Sequence, residues 1–242
     1  MNRWQAFGIH LVASVAVFVT LLTVILTLWY PGILFTIDGG MTGLQLVIGV
    51  DVILGPLLTL IVFSPGKPSL KFDMTCILTL QIGCLLAGTW IVYSERPLAL
   101  VLAFDTFYSL GAQEFEDFDR DVAVLDNFSG SYPKLLHVEL PMDEDEANLL
   151  YFSSQVTADP LFMQVDRFRE LPENVAQAFR REGIVRQRSG LDLQAYPSTE
   201  CLFARFLSGL NQGYVCFDPA TRQIDHFFAD PASTGPTEEQ SD

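Results

Sequence analysis

The sequence predicts an α+β protein in two parts: a three-transmembrane-helix N-terminal bundle followed by an extracytoplasmic α+β domain. Three observations predict it. Three apolar runs, Gly8 to Trp29, Leu44 to Phe63 and Met74 to Tyr93, occupy residues 1–94. Each has about 20 residues, enough to cross roughly 30 Å of hydrocarbon as a helix. Charge is segregated: residues 1–94 hold three acids and three bases, so the whole net charge of −15 falls on residues 95–242. Beyond residue 95, short strand-like runs bounded by turn residues are mixed with two helical patterns.

The apolar runs must be helices, because backbone polar groups have no water partners in lipid. The first is too long for a signal-peptide core, and no small-x-small site follows it. Trp29 and Tyr30 read as an interfacial belt, and Pro31 as a stop. Arg3 precedes the first run, the loop from Tyr30 to Gly43 has no Lys or Arg, and Lys67 and Lys71 lie in the second loop. Positive loops stay inside, so the N-terminus is expected in the cytoplasm and the C-terminal part outside it. Gly55-Pro56 should kink the second helix and free a carbonyl near Val52.

The exported part is expected as one domain, residues 95–230, with an acidic disordered tail, 231–242. Leu98 to Phe104 reads as the first strand and Leu135 to Leu140 as the second. Gly111 to Asp121 between them is acidic and reads as a loop or irregular helix. Asp143 to Ser154 reads as a helix with its acids in the first turn, where the helix dipole favours them. Pro172 to Glu182 reads as another, with Gly183 as its stop. Glu200 to Leu207, Gly213 to Phe217 and Ile224 to Phe228 complete the domain as short strands. Cys201 and Cys216 lie in the compartment where disulfides persist; a hairpin turning near Ser208-Gly209 would set them opposite each other.

The sequence carries no nucleotide-binding loop, nucleophile elbow or zinc-protease motif, and no enzyme, cofactor or metal is expected. His10, His137 and His226 form no ligand spacing; His137 reads as solvent-facing or hydrogen-bonded. The acidic exported part repels nucleic acid. Asp51, deep in the second run, is the informative polar residue, because a carboxylate at that depth costs roughly 2.5–3.5 kcal/mol on insertion scales. Three readings stay open for it: an acid satisfied inside the bundle by Thr20, Thr23 or Thr27, a contact for a client's helix, or a proton relay. Gly83 with Ala87, and Cys84 with Gly88, give the third helix a small-residue face open to close helix approach.

Ala6-Phe7 with His10, Trp29-Tyr30-Pro31, Asp51 with Gly55-Pro56-Leu57-Leu58-Thr59, then Lys67, Asp73 and Gln81, and Arg96-Pro97 with Asp105 and Phe107, form a distributed pattern. It resembles the type IV pilin accessory proteins of the TfpX/TfpZ group over about residues 3–108. The resemblance implies a bacterial inner-membrane helper of a cognate major pilin, with a periplasmic domain and no catalytic activity. Asp51, Gly83, Ala87 and Gly88 are then the candidate contacts for the client's helix. A membrane-anchored periplasmic sensor or ligand-binding protein, and a small membrane enzyme or ion carrier built on Asp51, remain as rivals.

Overall fold

The computed structural model describes residues 2–189 and 201–230. The expected tail, Pro231 to Asp242, and Glu200, the expected start of a strand, lie outside them. The chain divides into two compact units: one of Met1–Pro31 and Gly39–Arg96, the other of Gly32–Asp38 and the chain from Pro97 onward.

The first unit is helical. α1 (Arg3–Val24) begins with a reciprocal cap between Asn2 and Gln5, and runs on through a widened π turn, Ile25–Trp29. α5 spans Leu70–Ser94. Arg3–Trp29 and Leu70–Ser94 are long and apolar enough to cross a membrane. The region expected as a further span is built differently. α3 (Gly40–Val47), a π-helical stretch (Ile48–Leu54) and α4 (Gly55–Val62) follow one another directly, and the apolar part, Ile48–Val62, is shorter than the other two helices. Among the described residues the structure thus carries two helices of spanning length where the sequence suggests three.

Pro56 explains the π stretch. It has no N–H, and its ring crowds the preceding turn. The Gly55 N–H reaches back five residues to the Val50 carbonyl. In that pattern the next carbonyl, that of Asp51, faces Pro56, which has nothing to donate. The carbonyl left without this donor is therefore Asp51's, next to Val52 as the sequence suggests.

The second unit is a mixed seven-stranded sheet in the order β4-β3-β1-β2-β5-β6-β7. Its strands are β1 (Ala99–Ala103), β2 (Thr106–Leu110), β3 (Lys134–Val138), β4 (Phe168–Glu170), β5 (Leu202–Leu207), β6 (Gln212–Asp218) and β7 (Gln223–Ala229). β1 is paired on both sides, antiparallel to β2 and parallel to β3. All five of its residues are buried. Ala99, Val101 and Ala103 face one core with Phe115, Leu125 and Met163; Leu100 and Leu102 face the other with Phe107, Phe206 and Phe217. A strand covered on both faces reads as continuous apolar sequence, which is the pattern at Leu98 to Phe104.

α2 (Leu34–Ile37), from the segment before α3, supplies Leu34 and Ile37 to the second core. The Asn211 side-chain amide donates to the Ile37 carbonyl at 2.7 Å. The Ser109 hydroxyl donates to the buried Asp38 carboxyl at 2.5 Å. What reads as a short external loop is part of the sheet unit.

Four expectations need correction. β2 is not foreseen, because β1 turns into it at Phe104 and Asp105 with Phe104 at φ 62°, without the Gly or Asn that signals such a turn. β4 has only three residues and no pattern of its own. Gly111 to Asp121 holds a regular helix, α6 (Ala112–Asp117), in which the Glu114 carboxylate caps the Gly111 N–H. The helix expected over Pro172 to Glu182 is instead a 3-10 turn, Val175–Ala178, after which α8 (Glu182–Ser189) begins where the expected helix should end. Val175 and Phe179 are drawn into the sheet core, while Arg180 donates to the Pro141 carbonyl and Arg181 to Asn148, so tertiary contacts override the helical stripe. The other expected helix forms as α7 (Glu144–Val156), with Asp143 as its cap accepting from the Asp145 and Glu146 N–H groups.

Candidate functional site

Several polar residues of the helical unit gather at one place. Asp51 is 8% exposed and Gln81, from α5, is 7% exposed. The Gln81 Nε2 donates to the Asp51 carbonyl at 3.5 Å, the group that Pro56 leaves without a helical donor. Gly55 makes this crossing possible: a Cβ there would lie 1.7 Å from Gln81 Nε2. From α1, the His10 Nδ1 is 2.6 Å from the Thr59 Oγ1. The Thr59 Oγ1 also lies 3.1 Å from the Gly55 carbonyl of its own helix. Residues 10, 51, 55, 59 and 81, scattered through the sequence, are one cluster in space.

Two acceptors in this cluster have no donor: Asp51 Oδ2 and Gln81 Oε1. Each such buried group costs about 1–3 kcal/mol. Asp51 and Gln81 help line a groove of about 170 Å³ with His10, Ser14, Val17, Leu78 and Leu85. Asp51 also lines a second groove of similar volume with Val47, Cys84, Ala87 and Gly88.

The threonines expected to satisfy Asp51 do not. Thr20, Thr23 and Thr27 each donate to a carbonyl four residues back in their own helix. The small-residue face is unevenly covered. The Gly83 and Ala87 pair is exposed, whereas a Cβ at Gly88 would meet Val47 Cγ2 at 3.3 Å, so Gly88 is covered by the protein's own α3. The two small-residue ladders are offset by one residue, about 100° around a helix, yet Cys84, Ala87 and Gly88 border the one groove that Asp51 also lines.

Other residues of the distributed pattern form two further clusters. Lys67 pairs with Asp73 at 2.6 Å at the start of α5. At the other end of α5, Tyr30 donates to the Val92 carbonyl at 3.1 Å, Trp29 packs edge-on against Tyr93, and the Arg96 guanidinium lies 3.6 Å over the Tyr93 ring. These contacts tie the aromatic end of α1 to α5.

In the sheet unit, Cys201 and Cys216 are disulfide-bonded with Cα atoms 5.4 Å apart. Burial pushes the half-buried His137 imidazole below its ordinary value against hydrogen bonds to the Glu170 and Arg169 backbone, and its Nδ1 has no partner. Among the described residues, no group of three or more His, Cys, Asp or Glu is placed to hold a metal.

No family model matches the chain, and no solved structure matches it. Curated relatives do. The fimbrial assembly protein of serogroups C1 and C2 from Dichelobacter nodosus is 34% identical over 101 residues, 41% of this chain and 77% of that protein. Its serogroup I and serogroup E1 counterparts from the same organism are 34% identical over 100 and 101 residues. The match spans about two-fifths of the length of each of those two. With more than two-thirds of the first relative matched at that identity, the chain belongs to the family of fimbrial assembly proteins.

Proposed function

We propose that this protein is an inner-membrane accessory protein of the TfpX/TfpZ type, chaperone-like toward a cognate type IV major pilin during pilus assembly. Its kinship with fimbrial assembly proteins is the observation that carries the reading. Two apolar helices of spanning length support a membrane location; in this reading α3, the π stretch and α4 together make the third crossing. Lys67 and Lys71 then mark the cytoplasmic side, and the acidic sheet unit works in the periplasm. The activity is non-catalytic: the helper shelters the apolar helix of a waiting subunit and releases it to the fibre.

Deletion of the gene tests this. Surface pili should fall to near background and cellular pilin should be depleted, both restored by the full chain supplied in trans. Unchanged piliation and pilin abundance would refute the role. A reporter active only in the cytosol, fused after Asp242, should stay silent; activity would refute the orientation.

A further inference from the structure

The polar floor of the groove between α1 and α5 lacks what it needs. Asp51 Oδ2 and Gln81 Oε1 are acceptors, each more than nine-tenths buried, and neither meets a donor. Of the polar groups around it, Gln81 Nε2 donates to the Asp51 carbonyl, His10 Nδ1 pairs with the Thr59 hydroxyl, and the Ser14 hydroxyl bonds neither acceptor. The groove walls are chiefly apolar, with Val17, Leu78 and Leu85 among them. A complementary occupant is apolar along its length and brings a donor to the level of Asp51.

We propose that this groove seats a membrane helix of a partner protein that carries a hydroxyl, amide or ammonium side chain, which donates to Asp51 and Gln81. A lipid acyl chain fits the walls but has no donor, so it leaves both acceptors unmet. A helix with a mid-span donor satisfies wall and floor together. The inference rests on the reading above only for the identity of that helix, and it moves the docking surface from the small-residue face to the polar floor.

The test uses the full chain in cell membranes, with a photo-reactive residue at Val17 or Leu85, and at exposed Trp90 as the control face. Val17 and Leu85 should capture a membrane-spanning segment that Trp90 does not. Asp51→Leu should lower the yield about tenfold, the loss expected for one strong hydrogen bond. Asp51→Asn, which keeps an acceptor, should retain most of the yield and controls for folding. Replacing the donor residue of the captured helix by Ala should match the loss seen with Asp51→Leu. Adducts only to lipid, only to a second copy of this chain, or indifferent to Asp51→Leu overturn the proposal. Capture of a helix other than pilin's, with the same dependence on Asp51, upholds the groove and removes the pilin reading. Loss of pili on gene deletion without groove adducts upholds that reading and removes the groove.

Discussion

Gly55 sits where no side chain fits, because the Gln81 amide lies across it. Ala in its place must push Gln81 off the Asp51 carbonyl, which then has no donor at all. That loss is about 1 kcal/mol, and the better helix propensity of Ala opposes it by a similar amount. A double-mutant cycle separates the two. Gly55→Ala should cost about 1 kcal/mol more in the native background than alongside Gln81→Ala, measured by unfolding in detergent. Asp38 makes a second residue-scale case. Burial raises its carboxyl above the usual range, the Ser109 and Ser208 hydroxyls oppose the rise, and nearby Glu114 adds to it. A raised carboxyl takes up its proton more readily in the folded state, so folding loses stability as pH climbs from the ordinary carboxylate value through the raised one. Asp38→Asn keeps the shape and removes that loss. The melting temperature of the native chain should fall relative to the variant as pH rises above about 4.

At the scale of elements, the β5–β6 hairpin is held by its ladder and by the Cys201–Cys216 bond, which closes a loop with a sequence separation of 15. In the chain-entropy account such a loop contributes about 3 kcal/mol. Reduction, or the Cys201→Ser and Cys216→Ser pair, should lower the stability of the sheet unit by about that amount. Chemical denaturation with and without reductant measures it. The π stretch before Pro56 is an element with a local cause and a distant use. The proline that widens the helix also frees the carbonyl that Gln81, 30 residues away, takes up.

Across the whole molecule, the segment between α1 and α3 decides how the sheet unit is completed. Leu34 and Ile37 are each 4% exposed and sit in the core with Phe107 and Phe217. Leu34→Ala should destabilise the sheet unit by about 2–5 kcal/mol, the usual range for a truncated core leucine. Limited proteolysis of the chain in membranes should show it as faster cutting beyond Pro97. If the cutting rate there is unchanged, the segment is not part of that core.

The two-part character, the helical class of the first part and most strands of the second were legible because each follows from a local pattern. Apolar length, the charge divide, and alternation bounded by turn residues need no knowledge of distant partners. Asp51, Gly55, Thr59 and Gln81 stood out singly, but their meeting point did not. A helix sequence gives spacing along its own axis, and not the rotation and offset of its neighbours. Tertiary structure alone set those, and so sent Gly88 inward, left Gly83 and Ala87 exposed, and brought His10 beside Thr59. It also turned Pro172 to Glu182 out of the helical state, because core contacts at Val175 and Phe179 outweigh a weak local preference.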